Sequence, residues 1–411
     1  MLPKIDFNVV DLETTRYKRT HNTSVQETEE LLKKCYGDDC WRVILCNSGQ
    51  EALNTAVSLI QPKTVIVDDE TYFELRFNLQ YHKDWIGYKY IQLKDLDNLA
   101  DLDKALQNAE KPILVCGDHP TTFGNWKQVK KISEVVHQYG GYVMMDNSIV
   151  SFYYSNPLNL GADIVVESYT KYVTGQGDTF AGGIAFSHSM EWLDEKEVPA
   201  TVPGMKSIMW IVSRRGNVAH PLAAYNVAKG LETLDVRMPE HTWNARRVFT
   251  FLKSLGLDVK YSGLGGLITL FGVKPDFCKY FKHFVTCGTF GCVYSNADFF
   301  RSDTYYTAGV CTRLSIGLEF PWVLCSDIIS AFSSAFGYSV SLMEKNRDRV
   351  FSGDIPTCDF DFLYSQFPGS NISVVTGADT CNSFNFTGNL FDNSASSANK
   401  EIHFMEGGKD K

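Results

Sequence analysis

A lysine flanked by hydroxyl side chains, in Glu167-Ser-Tyr-Thr-Lys171-Tyr172, follows an aspartate that closes an apolar run, Tyr142-Val-Met-Met-Asp146. A strand that delivers a carboxylate at its C-terminal end, with a primary amine soon after it, is what pyridoxal phosphate chemistry requires. The amine must form a Schiff base with the cofactor aldehyde. The carboxylate must keep the pyridine nitrogen protonated so that the ring withdraws electrons. Ser168 and Thr170, two hydroxyls beside the lysine, can donate hydrogen bonds to the cofactor phosphate.

Other segments offer matching chemistry. Asn47-Ser48-Gly49-Gln50-Glu51 lies between a strand pattern and a helix pattern, where backbone N–H groups at a helix N-terminus can face an anion. Taken alone, Ser48 there reads first as a plain helix cap. Tyr72, in Asp68-Asp-Glu-Thr-Tyr72-Phe-Glu, can stack on a pyridine ring or sit in a core. Tyr17 and Arg19 place a phenol and a guanidinium ahead of the first helix. Arg313, in Thr312-Arg-Leu-Ser-Ile-Gly-Leu-Glu319, falls at the end of a strand pattern, and arginine binds a carboxylate bidentately.

Short apolar runs alternate with amphipathic helical patterns as far as about residue 190. The runs are Arg42–Cys46, Thr64–Val67, Pro112–Cys116, Gly141–Met145, Ile164–Glu167 and Gly182–Phe186, and helices are expected at Ser48–Ile60 and Trp126–Tyr139. This alternation predicts an α/β fold with a mostly parallel sheet, whose ligands bind beyond the carboxyl ends of the strands. Asp146 and Lys171 both fall there. A helical passage, Pro221–Leu255, leads to a smaller α+β unit that begins near Val259. The expected division is an arm and first helix over 1–40, a large cofactor-binding domain over 41–255, a small C-terminal domain over 256–345, and an atypical Ser/Asn-rich extension over 346–411.

The chain has 411 residues and a formal net charge of −9, which argues against a nucleic-acid or anionic-membrane surface. No apolar run reaches membrane-spanning length, and the first residues lack the apolar core of a signal peptide. The 11 cysteines form no CxxC pairs or His/Cys clusters, so reduced cytoplasmic thiols are expected and no metal site.

Taken in order, these segments resemble the Cys/Met-metabolism family of pyridoxal-phosphate enzymes, the cystathionine γ-synthase-like group. The resemblance runs through about residues 14–340. It rests on Tyr17-x-Arg19, Ser48-Gly49, Tyr72, Asp146-Asn-Ser, Leu158-x-Leu-Gly-Ala-Asp-Ile-Val-Val-x-Ser-x-Thr-Lys-Tyr172 and Gly175-x-Gly-Asp178. Further along it includes Gly230-Leu-x-Thr-Leu-x-Val-Arg-Met238 with His241 and Asn244, and Arg313-Leu-Ser-Ile-Gly-Leu-Glu319.

The resemblance implies the fold type I architecture of pyridoxal-phosphate-dependent transferases. It makes Lys171 the Schiff-base lysine and Asp146 the partner of the pyridine nitrogen. Ser48, Gly49, Gln50, Ser168 and Thr170 would hold the phosphate, and Tyr72 would stack on the ring. Tyr17 and Arg19 would reach the neighbouring subunit's site, implying a homodimer at least and commonly a homotetramer. Arg313 would clamp the substrate carboxylate. Tyr72 or the partner copy's Tyr17 would assist the leaving group.

The departures are specific. Phe-Glu-Leu follows Tyr72 where the family has Gly-Gly-Thr. Thr122 replaces an asparagine that touches the cofactor's phenolic oxygen. Thr289-Phe-Gly-Cys292 stands for Ser-Leu-Gly-Gly, which puts Thr289 beside the substrate. Gly288 replaces the glutamate that meets a distal ammonium in cystathionine-cleaving members, so cystathionine is not the expected substrate. The implied activity is γ-elimination or γ-replacement on a sulfur-containing or O-acylated homoserine-type amino acid, by a cytoplasmic enzyme. Alternatives are a specialised enzyme for another γ-substituted amino acid, and a cofactor-binding homologue without turnover.

Overall fold

The computed structural model describes residues 22–195, 207–273, 275–300, 311–353, 372–373 and 385–386. Helix α1 (Thr23–Tyr36) is capped by Asn22, whose side chain accepts from the Val25 N–H. It leads into β1 (Cys40–Cys46), α2 (Gly49–Ile60) and β2 (Thr64–Asp68). Then come α3 (Phe73–Ile86), β3 (Lys89–Leu93), α4 (Leu99–Gln107), β4 (Ile113–Asp118), α5 (Val129–Gln138) and β5 (Tyr142–Asp146). The short α6 (Ser151–Tyr154), β6 (Ile164–Glu167) and β7 (Gly182–Ser187) complete the main sheet.

Among the described residues this sheet has seven strands in the order β1-β7-β6-β5-β4-β2-β3. Strands β3, β2, β4, β5 and β6 are parallel, and β7 runs antiparallel to both its neighbours. Continuous Val/Ile/Leu/Met runs form the central strands because both faces are covered. Val65, Ile66, Val67, Leu114 and Val143 have no exposed surface. The mostly parallel sheet is therefore as expected. The edge strand β3, half exposed, has no counterpart among the strands expected from the sequence.

Helix α5 begins at Val129, three residues after the Trp126 expected to open it. Trp126 and Lys127 instead tie down the preceding loop: the Trp126 indole donates to the Ser262 carbonyl at 2.8 Å, and Lys127 Nζ pairs with Asp68 at 2.5 Å. The helices α7 (Trp192–Glu195), α8 (Ser207–Arg215), α9 (Pro221–Leu231) and α10 (Leu234–Ser254) follow. The passage expected as one helical stretch is thus split between α9 and α10.

The second unit contains β8 (Val259–Tyr261), β9 (Leu267–Phe271), β10 (Val285–Thr286), β11 (Asn296–Phe300) and β12 (Cys311–Ser315), in the order β10-β11-β12-β9-β8. Helices α11 (Pro321–Phe336) and α12 (Val340–Ser352) pack with α10 over its core of Phe251, Leu270, Leu314, Ile328 and Phe332. Helix α12 runs across residue 346, with Met343 and Val350 buried, so the expected 345/346 boundary falls inside it. The two units meet where Thr269 Oγ1 donates to the Thr122 carbonyl at 2.7 Å. No helix among the described residues is long and apolar enough to cross a membrane.

Candidate active site

Because β2, β4, β5 and β6 are parallel, their C-terminal ends share one edge of the sheet. There a cavity of about 230 Å³ is lined by Ser48, Gly49, Gln50, Tyr72, Asp118 and Thr122. Asp146, Ser148, Ser168, Thr170, Lys171, Gly288, Phe290 and Arg313 are also among its lining residues. Ten residues picked out from sequence therefore line one cavity. Thr289 joins them through Lys171. Tyr17 and Arg19 lie outside the described residues.

Lys171 sits in the turn after β6. Its amine donates to Thr289 Oγ1 at 2.9 Å and lies 4.8 Å from the centroid of the Phe290 ring. Burial, reinforced by the Arg313 guanidinium, lowers its pKa to about 8. A sizeable neutral fraction is thus available near neutral pH, as an amine that attacks a carbonyl needs. Asp146 ends β5 and accepts from the Ser148 N–H at 2.8 Å. Burial raises its carboxyl above the ordinary value, while the bonds from Ser148 and the charge of Lys171 oppose that rise.

A helix N-terminus also lines the cavity. Ser48 caps α2, its hydroxyl accepting from the Glu51 N–H at 3.2 Å. Capping leaves the rest of this helix end open to the cavity, which Gly49 and Gln50 also line. Gly49 is required by close approach: an added Cβ would stand 2.8 Å from Ser168 Cβ. The Thr170 hydroxyl is already engaged, donating to the Ala181 carbonyl at 3.1 Å and accepting from its N–H at 3.0 Å. It fixes the turn that carries Lys171.

Arg313, on β12, faces the cavity from the second unit. Its Nη2 pairs with Asp298 Oδ2 at 3.1 Å across the β11–β12 ladder. Asp298 was not foreseen from the sequence because a cross-strand pair leaves no local signal. Asp118 was not foreseen either, although it ends β4 just as Asp146 ends β5.

Several motif residues prove to hold the site rather than line it. Arg237 on α10 donates to the carbonyls of Tyr172, Val173 and Gly230 at 2.7, 3.1 and 2.8 Å, clamping the chain just beyond Lys171. His241 Nδ1 lies 2.8 Å from the Ile316 carbonyl, and Asn244 Nδ2 donates to those of Gly317 and Glu319. These bonds fasten the segment after Arg313 to α10. Gly291 packs directly on the lysine segment, where an added Cβ would lie 2.8 Å from the Tyr172 nitrogen, and its φ is 77°.

A mostly parallel α/β sheet with a buried lysine, a strand-end aspartate and a helix N-terminus around one cavity defines a site of the pyridoxal-phosphate type. The chain belongs to the Cys/Met metabolism PLP-dependent enzyme family, whose model matches residues 7–266. It is 26% identical over 246 residues to a cystathionine gamma-lyase of Dictyostelium discoideum, covering 58% of this chain and 57% of that one. It is 28% identical over 260 residues to a chloroplastic mimosinase of Mimosa pudica, covering 60% and 53%. The matches thus span little more than half the length of these two relatives. A cystathionine gamma-synthase/O-acetylhomoserine (thiol)-lyase of Bacillus subtilis is 26% identical over 336 residues, covering 77% and 85%. Among solved structures, a methionine gamma lyase from Micromonospora echinospora superposes with a TM-score of 0.66 at 24% identity, covering 77% of this chain and 87% of that one. That likeness is one of fold.

Proposed function

We propose that the protein is a pyridoxal-phosphate-dependent lyase or transferase that carries out γ-elimination or γ-replacement on a sulfur-containing or O-acylated homoserine-type amino acid. The observation that carries this reading is the convergence of Lys171, Asp146, Arg313 and the N-terminus of α2 on one cavity. The donor set fits the cofactor: a buried amine of lowered pKa, a strand-end carboxylate, and a Gly49–Ser168 contact too close for any side chain. Lys171 would hold the aldehyde carbon, Asp146 the ring nitrogen, and Gly49, Gln50 and Ser168 the phosphate. Bound there, pyridoxal phosphate supplies an electron-withdrawing ring that makes loss of a proton next to the amino group feasible.

The protein's own residues do the rest. Arg313 holds the substrate carboxylate and so fixes which bond at Cα is presented. Lys171, freed by the substrate amine and neutral in part, would take the Cα proton, pass it on and then take one from Cβ, the loss that lets the γ-substituent leave. Thr289 holds the Lys171 amine at 2.9 Å and so sets where that proton is exchanged. Tyr72 offers a phenol on the cavity wall for protonating the departing γ-substituent. Asp146 keeps a carboxylate at the floor of the site.

A second reading keeps the reaction class and changes the substituent. Glu74, which follows Tyr72 at the cavity wall and accepts from Gln50 Nε2 at 3.1 Å, favours it. A carboxylate there selects for polar or cationic groups over a thioether. With either reading go a homo-oligomer in which Tyr17 and Arg19 complete a neighbouring site, a large unit over 41–255 with a small one that starts at 256 and includes α12, and a cytoplasmic location. Phe180, lining the cavity yet 79% exposed, supports coverage by a second copy.

The test is release of 2-oxo acid and ammonia from a panel of γ-substituted amino acids by the cofactor-loaded protein. Turnover of methionine or O-acetylhomoserine supports the first reading, and turnover of a cationic analogue alone supports the second. Cofactor uptake with no 2-oxo acid from any of them, and no replacement product when a thiol acceptor is added, counts against both.

A further inference from the structure

Three strands that are neighbours in the sheet, β2, β4 and β5, each end in an aspartate: Asp68, Asp118 and Asp146. Parallel pairing places the last two side by side, Asp118 opposite Asp146 in the β4–β5 register. The three are not equivalent. Asp68 is neutralised by Lys127, 2.5 Å away, and its oxygens also accept from the N–H groups of Glu70, Thr71 and Leu96. It shapes the turn that precedes Tyr72. Asp146 opens onto the cavity floor.

Asp118 is 3% exposed, pairs with no lysine, arginine or histidine among the described residues, and lines the cavity. One of its oxygens, Oδ2, accepts from the Tyr72 N–H at 2.7 Å. The other, Oδ1, is buried and accepts no hydrogen bond. Tyr72 is the N-cap residue of α3, and its own side chain makes no capping bond to that helix. The position of its backbone, and hence the origin of its ring, is therefore set from a different strand.

We propose that Asp118 is a positioning residue for the cofactor site, which fixes Tyr72 against the cavity through the Tyr72 N–H. The inference rests on the functional reading above, since it gives Tyr72 a bound ring to meet. A buried carboxylate between Asp146 and Asp68 is costly to ionise unless it is compensated. Burial first, then the charge of Asp146, pushes the Asp118 carboxyl well above the usual carboxylate range, and the Tyr72 bond and Lys127 only partly oppose this. The work of Asp118 is thus to accept a hydrogen bond, and it needs no charge for that. Asp146 remains the carboxylate for the ring nitrogen, and Asp118 beside it adds a polar surface without a second full charge.

The experiment compares pyridoxal phosphate affinity and the induced circular dichroism of bound cofactor for wild type, D118N and D118L, each alone and in a Y72A background. Asparagine keeps an acceptor for the Tyr72 N–H without a charge, and leucine fills the space with no acceptor. The expected result is D118N within about threefold of wild type, and D118L weaker by about tenfold or more with an altered dichroic band. In the Y72A background, which keeps the backbone N–H but has no ring to position, D118L and Asp118 should bind equally.

D118N as weak as D118L would mean that charge is required and would overturn the proposal. So would a D118L that binds normally, or effects that add in the double variant. Should D118L not fold, D118A takes its place, with the same expected and contrary results. A wild type that takes up no cofactor would instead sink the functional reading and this inference with it.

Discussion

Lys171 and Thr289, 118 residues apart, are joined by a 2.9 Å hydrogen bond that ties the turn after β6 to the loop before Arg313. The amine that would hold the cofactor and the guanidinium that would hold the substrate are thereby connected through one short segment, Thr289 to Gly291. Movement of the second unit against the sheet must be felt at the lysine.

The lowered pKa of Lys171 gives a first prediction. Only the neutral amine condenses with an aldehyde, so the rate of cofactor uptake by the cofactor-free protein should rise about tenfold per pH unit from pH 6 and level off above about 8. Stopped-flow absorbance at several pH values checks this. A rate still rising steeply above pH 9 would show that the amine has an ordinary pKa.

Gly49→Ala should weaken cofactor binding by about tenfold or more, because its methyl must displace Ser168 on the phosphate side of the cavity. Melting temperature without cofactor should fall much less than affinity does. Fluorescence titration alongside a thermal scan separates the two. Equal losses in both would assign Gly49 to packing alone.

Arg313→Lys should raise KM for the amino acid by about tenfold to a hundredfold with a smaller change in cofactor affinity, because an ammonium cannot make the bidentate contact. Asp298→Asn should act in the same direction more weakly, by loosening the orientation of Arg313. Steady-state kinetics on the best substrate of the panel measures both. A KM unchanged in Arg313→Lys would remove Arg313 from substrate binding.

The reach of the sequence differed from residue to residue. Asp146 and Lys171 were legible because a buried parallel strand reads as an unbroken apolar run, and a polar residue that ends it stands out. Ser48 and Gly49 were legible for a related reason, as the break between a strand and a helix. Strand β3 was not, since an edge strand half open to solvent, Lys89-Tyr-Ile-Gln-Leu93, lacks such a run. Asp118 was hidden because Asp-His-Pro reads as turn chemistry, and its partner, the Tyr72 N–H, lies 46 residues earlier. Asp298 acts through a contact between strands that no local pattern carries, and Arg237 was legible as part of a motif while its clamp on Tyr172, Val173 and Gly230 was not.

Glu167, the residue before Ser168, is a further case. It is 2% exposed, accepts from the Tyr36 hydroxyl at 3.0 Å and the Phe152 N–H at 3.2 Å, and burial raises its pKa to about 8. The folded pKa lies above the unfolded one, so the folded state binds more protons. The stability that Glu167 contributes is full below about pH 4.5 and is lost as pH rises towards 8, by up to about 1.4 kcal/mol per pH unit. Glu167→Gln keeps the acceptor and removes the titration. Its denaturation midpoint should gain on wild type steadily from pH 5 to pH 8, and parallel profiles would show that Glu167 is ionised in the fold.

The most direct test of the central claim is to load the protein with pyridoxal phosphate, reduce it with borohydride, and locate the modified lysine by peptide mass spectrometry. The expected result is a single phosphopyridoxyl group on Lys171, with none on the Lys171→Ala variant. Modification spread over other lysines, or the same yield without Lys171, would contradict it.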